Sequence, residues 1–165
     1  MADIAIEGGK LDWDGVKFIA EVTDANVKAM TKAAIVVQAK AKELAGGTGS
    51  GRKYKRRGIT HRASKPNRPP ARDTGVLVNS ISFAIYKFGK TPGVDLTKAK
   101  NLEVIGAVGA DHNLLISGNP NTDPDYAIWL ELGTHKMKPR PYLRPAVIKS
   151  RKTINKIFND TMRKL

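Results

Sequence analysis

The chain has no cysteine among its 165 residues. That excludes a disulfide framework and any thiolate metal site, and it fits assembly in a reducing cytoplasm. Aromatic residues are scarce, at 6%, and Tyr54 is the only one between Gly51 and Arg72, so base stacking is a poor explanation for the positive charge there. No apolar run approaches the roughly 20 residues that a membrane span needs, and no membrane partner is expected. Met1-Ala2-Asp3-Ile4 has no basic stretch ahead of an apolar one and does not read as a signal peptide. The three histidines, His61, His112 and His135, lack metal-ligand spacing. No nucleophile, base and orienting residue stand in a recognisable set, so the sequence predicts neither an enzyme nor a cofactor.

What is present is charge of one sign, a net +14, unevenly spread. Met1 to Ser50 holds 6 basic and 7 acidic residues, and Asp73 to His135 holds 4 and 7. Gly51 to Arg72 holds 9 basic and no acidic residue, and Lys136 to Leu165 holds 10 and 1. The body is near neutral, and the excess lies in one loop and one C-terminal arm. Such segregation points to an anionic partner, either nucleic acid or an acidic protein surface. For the C-terminal arm a solvated helix face explains the charge equally well.

The pattern along the chain predicts one α+β domain over residues 1–165: a small antiparallel sheet packed by a long N-terminal helix and a C-terminal helix, with a long basic loop over 46–72. Ile4, Ile6 and Leu11 around Gly8-Gly9 suggest an edge strand or hairpin, and Trp13, Val16 and Phe18 a helical turn. Thr23 or Asp24 is an N-cap candidate for a helix of about six turns with Val27, Met30, Ala34, Val37, Ala41 and Leu44 on one face. Its alanines suit a close contact, and Gly46-Gly47 ends it. The glycine-rich run 46–51 reads as a hinge, since it follows a helix and lacks a phosphate-loop ending. The basic loop is expected to be poorly structured in a free subunit, because repulsion and a shortage of apolar residues oppose collapse. Asp73 can cap a short helix through Ser80, which also disposes of Asp73-Thr74-Gly75 as an aspartic-protease signature. Strands are expected over 82–88 and 102–110, with a turn at Pro92-Gly93 and a loop over 113–125. Tyr126 to Leu132, apolar at nearly every position, reads as a buried strand. Gly133-Thr134 breaks it, a basic loop runs to Pro141, and Tyr142 opens the last helix, with Pro145 in its first turn. Ile128, Trp129, Leu130, Val147, Ile154 and Phe158 are expected in the core with Met30 and Val37. Glu131 is expected to orient the Gly-Thr turn or to meet a basic residue of a neighbour; its spacing from Asp125 does not make an acid/base pair.

Two blocks of this sequence resemble a known family. One is Tyr126-Ala127, Glu131-x-Gly133-Thr134 and Pro141-Tyr142-Leu143-Arg144-Pro145-Ala146. The other is Asp73-Thr74-Gly75-Val76-Leu77-Val78-Asn79-Ser80-Ile81. In this order they are similar to the signatures of the gene-product-ten-like family of tailed-phage neck and tail-completion proteins. With the flanking helices the likeness covers most of 23–165 and leaves the first twenty residues unmatched. His61-Arg62-Ala63-Ser64 continues it, with Asn67 where a glycine is usual.

The resemblance implies a virion structural protein of the neck or tail, made in the host cytoplasm. It would be a homo-oligomeric ring of six or twelve copies, a tail terminator or head-tail connector that meets other phage neck and tail proteins. On that reading Glu131, Gly133, Thr134, Lys136, Lys138, Arg140, Tyr142 and Arg144 lie at the ring interface. Arg52, Lys53, Lys55, Arg56, Arg57, Arg62, Lys65 and Arg68 face genome phosphates or an acidic protein partner. The alternative from charge alone is a non-sequence-specific nucleic-acid-binding protein acting through the same loop and the C-terminal helix.

Overall fold

The computed structural model describes residues 14–56, 58–87, 104–110 and 126–165. Helix α1 spans Gly15–Ala45, strands β1 and β2 span Lys53–Arg56 and Ile59–Arg62, and α2 spans Val76–Ser80. Strands β3 and β4 span Ile81–Lys87 and Val104–Ala110, followed by α3 over Tyr126–Leu132 and α4 over Leu143–Met162. The two antiparallel pairs, β1 with β2 and β3 with β4, form separate two-stranded sheets. The fold is α+β, with a long N-terminal helix and a C-terminal helix. Among the described residues no helix is long and apolar enough to cross a membrane. The expected N-terminal strand, Trp13, the Pro92-Gly93 turn and the 113–125 loop lie outside the described residues.

Helix α1 is longer than the spacing predicts and begins earlier. Asp14 is its N-cap, accepting from the Lys17 N–H at 3.0 Å. Thr23, an expected cap, instead turns its hydroxyl back to the Ile19 carbonyl at 2.8 Å, a bond compatible with the helix interior. The helix therefore runs through the expected cap and absorbs Val16 and Phe18. Gly46 closes it as expected, donating to the Lys42 carbonyl at 2.8 Å.

The buried stripe of α1 is Ala25, Ala29, Ala33, Ala34, Val37, Ala41 and Ala45. Ala34, Val37 and Ala41 are buried as expected, whereas the other expected members, Val27, Met30 and Leu44, are only half-buried, and Ala25, Ala29, Ala33 and Ala45 are buried beside them. Both β3–β4 and α4 pack against α1. Alanine leaves room for two neighbours to approach one helix closely. Gly106 makes the same kind of contact from the sheet: a Cβ there would lie 2.9 Å from the Met30 sulfur, as expected of a glycine inside a strand. The Gln38 amide donates to the Ile81 carbonyl at 2.9 Å and fixes where β3 starts on α1.

The core cluster joins Val37, Ala41, Ala45, Leu77, Ile81, Ala127, Tyr142 and Ala146. Several expected core residues stand elsewhere. Ile128, Trp129 and Val147 are exposed, and Phe158 is half-buried. Leu130 and Ile154 pack at the margin of the cluster.

The alanine stripe leads to a stability prediction. Ala41 is 0% exposed, so Ala41→Leu should overpack the contact and cost about 1–3 kcal/mol. A urea midpoint equal to that of the unmodified chain would show that the stripe has spare volume.

Candidate functional site

Residues Tyr126–Leu132 form a helix, not the buried strand that the run of apolar residues suggests. A short apolar run has no decisive period, and here the punctuation decides. Gly133 adopts φ 79° and donates to the Trp129 carbonyl at 2.8 Å, which is the left-handed ending of a helix. A Cβ at Gly133 would lie 2.8 Å from the Met137 carbonyl oxygen, so the turn also needs glycine for space. Thr134 fixes the rest of the turn, its hydroxyl accepting from the N–H groups of Lys136 and Met137 at 3.3 and 3.1 Å.

Helical geometry sends Glu131 to an unexpected place. Its carboxylate accepts from the N–H groups of Tyr142, Leu143 and Arg144 at 2.8, 3.0 and 2.9 Å. These belong to the N-cap and first turn of α4, which has no cap from its own side chain at Tyr142. Glu131 thus caps α4 from α3 and places negative charge at the positive end of the helix. Its hydrogen bonds go to the start of α4 and not to the Gly-Thr turn.

Two further expected interface residues are engaged within the chain. Tyr142 is 0% exposed and belongs to the core. Arg140 is half-buried; its N–H reaches the Leu130 carbonyl at 2.6 Å and its Nε the Ser64 carbonyl at 3.3 Å. The exposed members of the set are Thr134, Lys136, Lys138 and Arg144.

The two blocks that carry the resemblance lie against one another. Tyr126, Ala127 and Tyr142 from one, and Leu77, Val78 and Ile81 from the other, belong to or border the same cluster. A cleft of about 550 Å³ between them is lined also by Tyr54, Arg72 and Arg140. Burial raises the Tyr126 phenol pKa, opposed by the backbone of Leu77 and reinforced by the charge of Asp73. Burial raises that of Tyr142 further, with the charges of Glu131 and Tyr126 adding to it.

The basic segment is more structured than its composition suggests. Gly47 bridges Ala71, and the Arg72 N–H donates to the Gly47 carbonyl at 2.9 Å, which closes the root. The glycine run is no hinge: a Cβ at Gly49 would fall 1.7 Å from the Arg62 carbonyl oxygen. Glycine serves close backbone approach here. Between these lies the β1–β2 hairpin, with Gly58 at φ 77° in its turn. Asp73 supplies the counter-charge that the segment itself lacks. It meets the Arg56 guanidinium at 2.6 Å and His61 Nδ1 at 3.1 Å. It is therefore not the cap of α2, whose N-cap is Gly75 at φ 85°. Asn67, at φ 60°, occupies the left-handed region that favours glycine and tolerates asparagine. Its N–H donates to the Pro139 carbonyl at 2.8 Å and ties the two basic segments together.

Arg52, Lys53, Lys55, Arg62, Lys65 and Arg68 are exposed, as is Arg56 despite its ion pair. Arg57 lies outside the described residues, as do His112 and Asp125.

Two substitutions test this geometry. Glu131→Ala removes a charged acceptor from three N–H groups and should cost about 1.5–3 kcal/mol in urea unfolding; an unchanged midpoint would mean the helix start is solvated equally well without it. The Tyr142 hydroxyl is buried without a hydrogen-bond partner among the described residues, so Tyr142→Phe should be neutral or stabilising. The folded chain favours the protonated phenol, whose ordinary pKa is 10.0. Its contribution is therefore fully present below pH 10 and is lost as the pH rises toward the folded value. Tyr142→Phe should lose less stability above that pH than the unmodified chain, and parallel pH profiles would refute the assignment.

No family model, no curated protein and no solved structure matches the chain.

Proposed function

We propose that this chain is a structural, ring-forming component of a tailed-phage neck or tail-completion assembly, resident in the virion and acting by geometry without catalysis. The observation that carries the self-association is the distribution of apolar side chains on α3. Ala127 is buried, and Tyr126 and Leu130 border the core. Yet Ile128, Trp129 and Leu132 are 60%, 54% and 74% exposed. A helix apolar on most of its circumference is ordinarily covered on most of it, and the described residues cover only one side of α3. Val147 and Ile148 on α4 are exposed as well.

A second copy suits the uncovered side. A head-to-tail contact that covers this side of α3 with the next copy, repeated by a closing rotation, makes a ring. The exposed cations Lys136, Lys138 and Arg144 adjoin α3 and the start of α4, where they fit the polar rim of such an interface. The resemblance of the two blocks to neck and tail-completion proteins supplies the setting, and six or twelve copies the number.

The double variant Trp129→Glu with Leu132→Glu tests the reading. Both side chains are exposed, so the subunit should fold with an unchanged far-UV circular dichroism spectrum. Light scattering after size exclusion should show the unmodified chain as a ring and the variant as a monomer. Phage carrying the variant should accumulate heads and tails that fail to join. Normal rings and infectious particles from the variant would overturn the proposal.

A further inference from the structure

We propose that one face of the β1–β2 hairpin, formed by Lys53, Lys55 and Arg62, binds the phosphate backbone of duplex nucleic acid without regard to sequence. Side chains directly opposite one another in an antiparallel pair project to the same face. The register sets Lys53 against Arg62 and Lys55 against Thr60 on one face, and Tyr54 against His61 and Arg56 against Ile59 on the other. The second face is anchored. Asp73 holds both Arg56 and His61, and the Tyr54 ring stacks on His61 with centroids 5.6 Å apart. Anchoring that face turns the first one outward. Lys53, Lys55 and Arg62 are all exposed, and among the described residues none forms an ion pair. Arg56, expected among the anion contacts, is committed to Asp73.

The chemistry of the outward face selects its ligand. It holds three cations and a threonine, with no apolar or aromatic side chain. Protein interfaces place aromatic and apolar groups at their centre and are depleted in lysine, so an acidic protein is a poor fit. Single-stranded nucleic acid is held by several exposed aromatic rings, and the hairpin has one, Tyr54, which lies on the opposite face and is stacked on His61. A duplex needs neither. A two-stranded ribbon fits a major groove about 12 Å wide. Alternate residues on one face of a strand stand about 6.8 Å apart, two base-pair rises of about 3.4 Å each. The site lies within one subunit and so does not depend on ring assembly.

The test uses the full chain, a short labelled duplex and fluorescence anisotropy over a series of salt concentrations. The triple variant Lys53→Gln, Lys55→Gln, Arg62→Gln should reduce the slope of log K against log salt by about 2.7, or about 0.9 for each phosphate no longer neutralised. Arg56→Gln should leave the slope unchanged, as should a triple variant of Lys149, Lys152 and Lys156 to Gln, which removes equal charge from exposed positions of α4. Two duplexes of unrelated sequence should bind alike. Thermal melting checks that each variant folds, and light scattering on the same samples records assembly separately. An unchanged slope in the hairpin variant, or an equal reduction in the α4 variant, overturns the site. A hairpin variant that binds duplex normally but no longer assembles identifies the face as a protein contact and overturns it as well.

Discussion

The carboxylate of Glu131 is the constraint on which the C-terminal half of the fold depends. It accepts three N–H groups at the start of α4. A helix end buried without partners is costly, and the sequence at 141–146, with prolines at 141 and 145 and a tyrosine at the cap, offers no side-chain cap of its own. The acceptor must come from elsewhere, and α3 delivers it at the distance of one turn-and-loop. Once α3 and α4 are joined this way, the loop between them has both ends fixed. Gly133, Thr134 and the Arg140–Leu130 bond fix its path. The cations at Lys136 and Lys138 are then displayed on a defined scaffold.

A second constraint comes from α1. Its alanine stripe lets the sheet and α4 share one helix, but small residues bury little area. Among the described residues the largest side chains below 2% exposure are Tyr142, Ile81 and Ser80. The stabilisation that large apolar residues would add, about 1.5–3 kcal/mol for each one fully buried, is left on the surface at Ile128, Trp129 and Leu132. Among the described residues the core is thin and one apolar side of α3 is exposed, a combination suited to gaining stability by association, and ring formation of the proposed kind would then be linked to subunit folding.

The basic hairpin shows how a segment of like charges becomes ordered. Repulsion within it is offset by one external carboxylate, Asp73, that pairs with two of its side chains. Exposed ion pairs contribute little each, about 0–1 kcal/mol, so the backbone must share the task. It does so through the Gly47–Ala71 bridge, the Gly51 and Ala63 bonds and the Asn67–Pro139 bond. The result separates two kinds of cation, those that hold the hairpin and those that it displays.

The sequence by itself determined the α+β class, the long alanine-rich helix and its glycine end, the short helix through Ser80, the two strands after it and the C-terminal helix. These depend on local periodicity and capping, which are written in neighbouring residues. It also located the two basic segments. Only the tertiary structure decided that Tyr126–Leu132 is a helix, because an apolar run of seven residues suits either conformation until Gly133 adopts its left-handed turn. Only it showed that Glu131 caps a helix begun eleven residues later, that Tyr142 is core, and that Asp73 serves a hairpin rather than a helix start. Hydrogen bonds and ion pairs of that kind join residues far apart in the chain, and no local pattern specifies which donor a carboxylate will find.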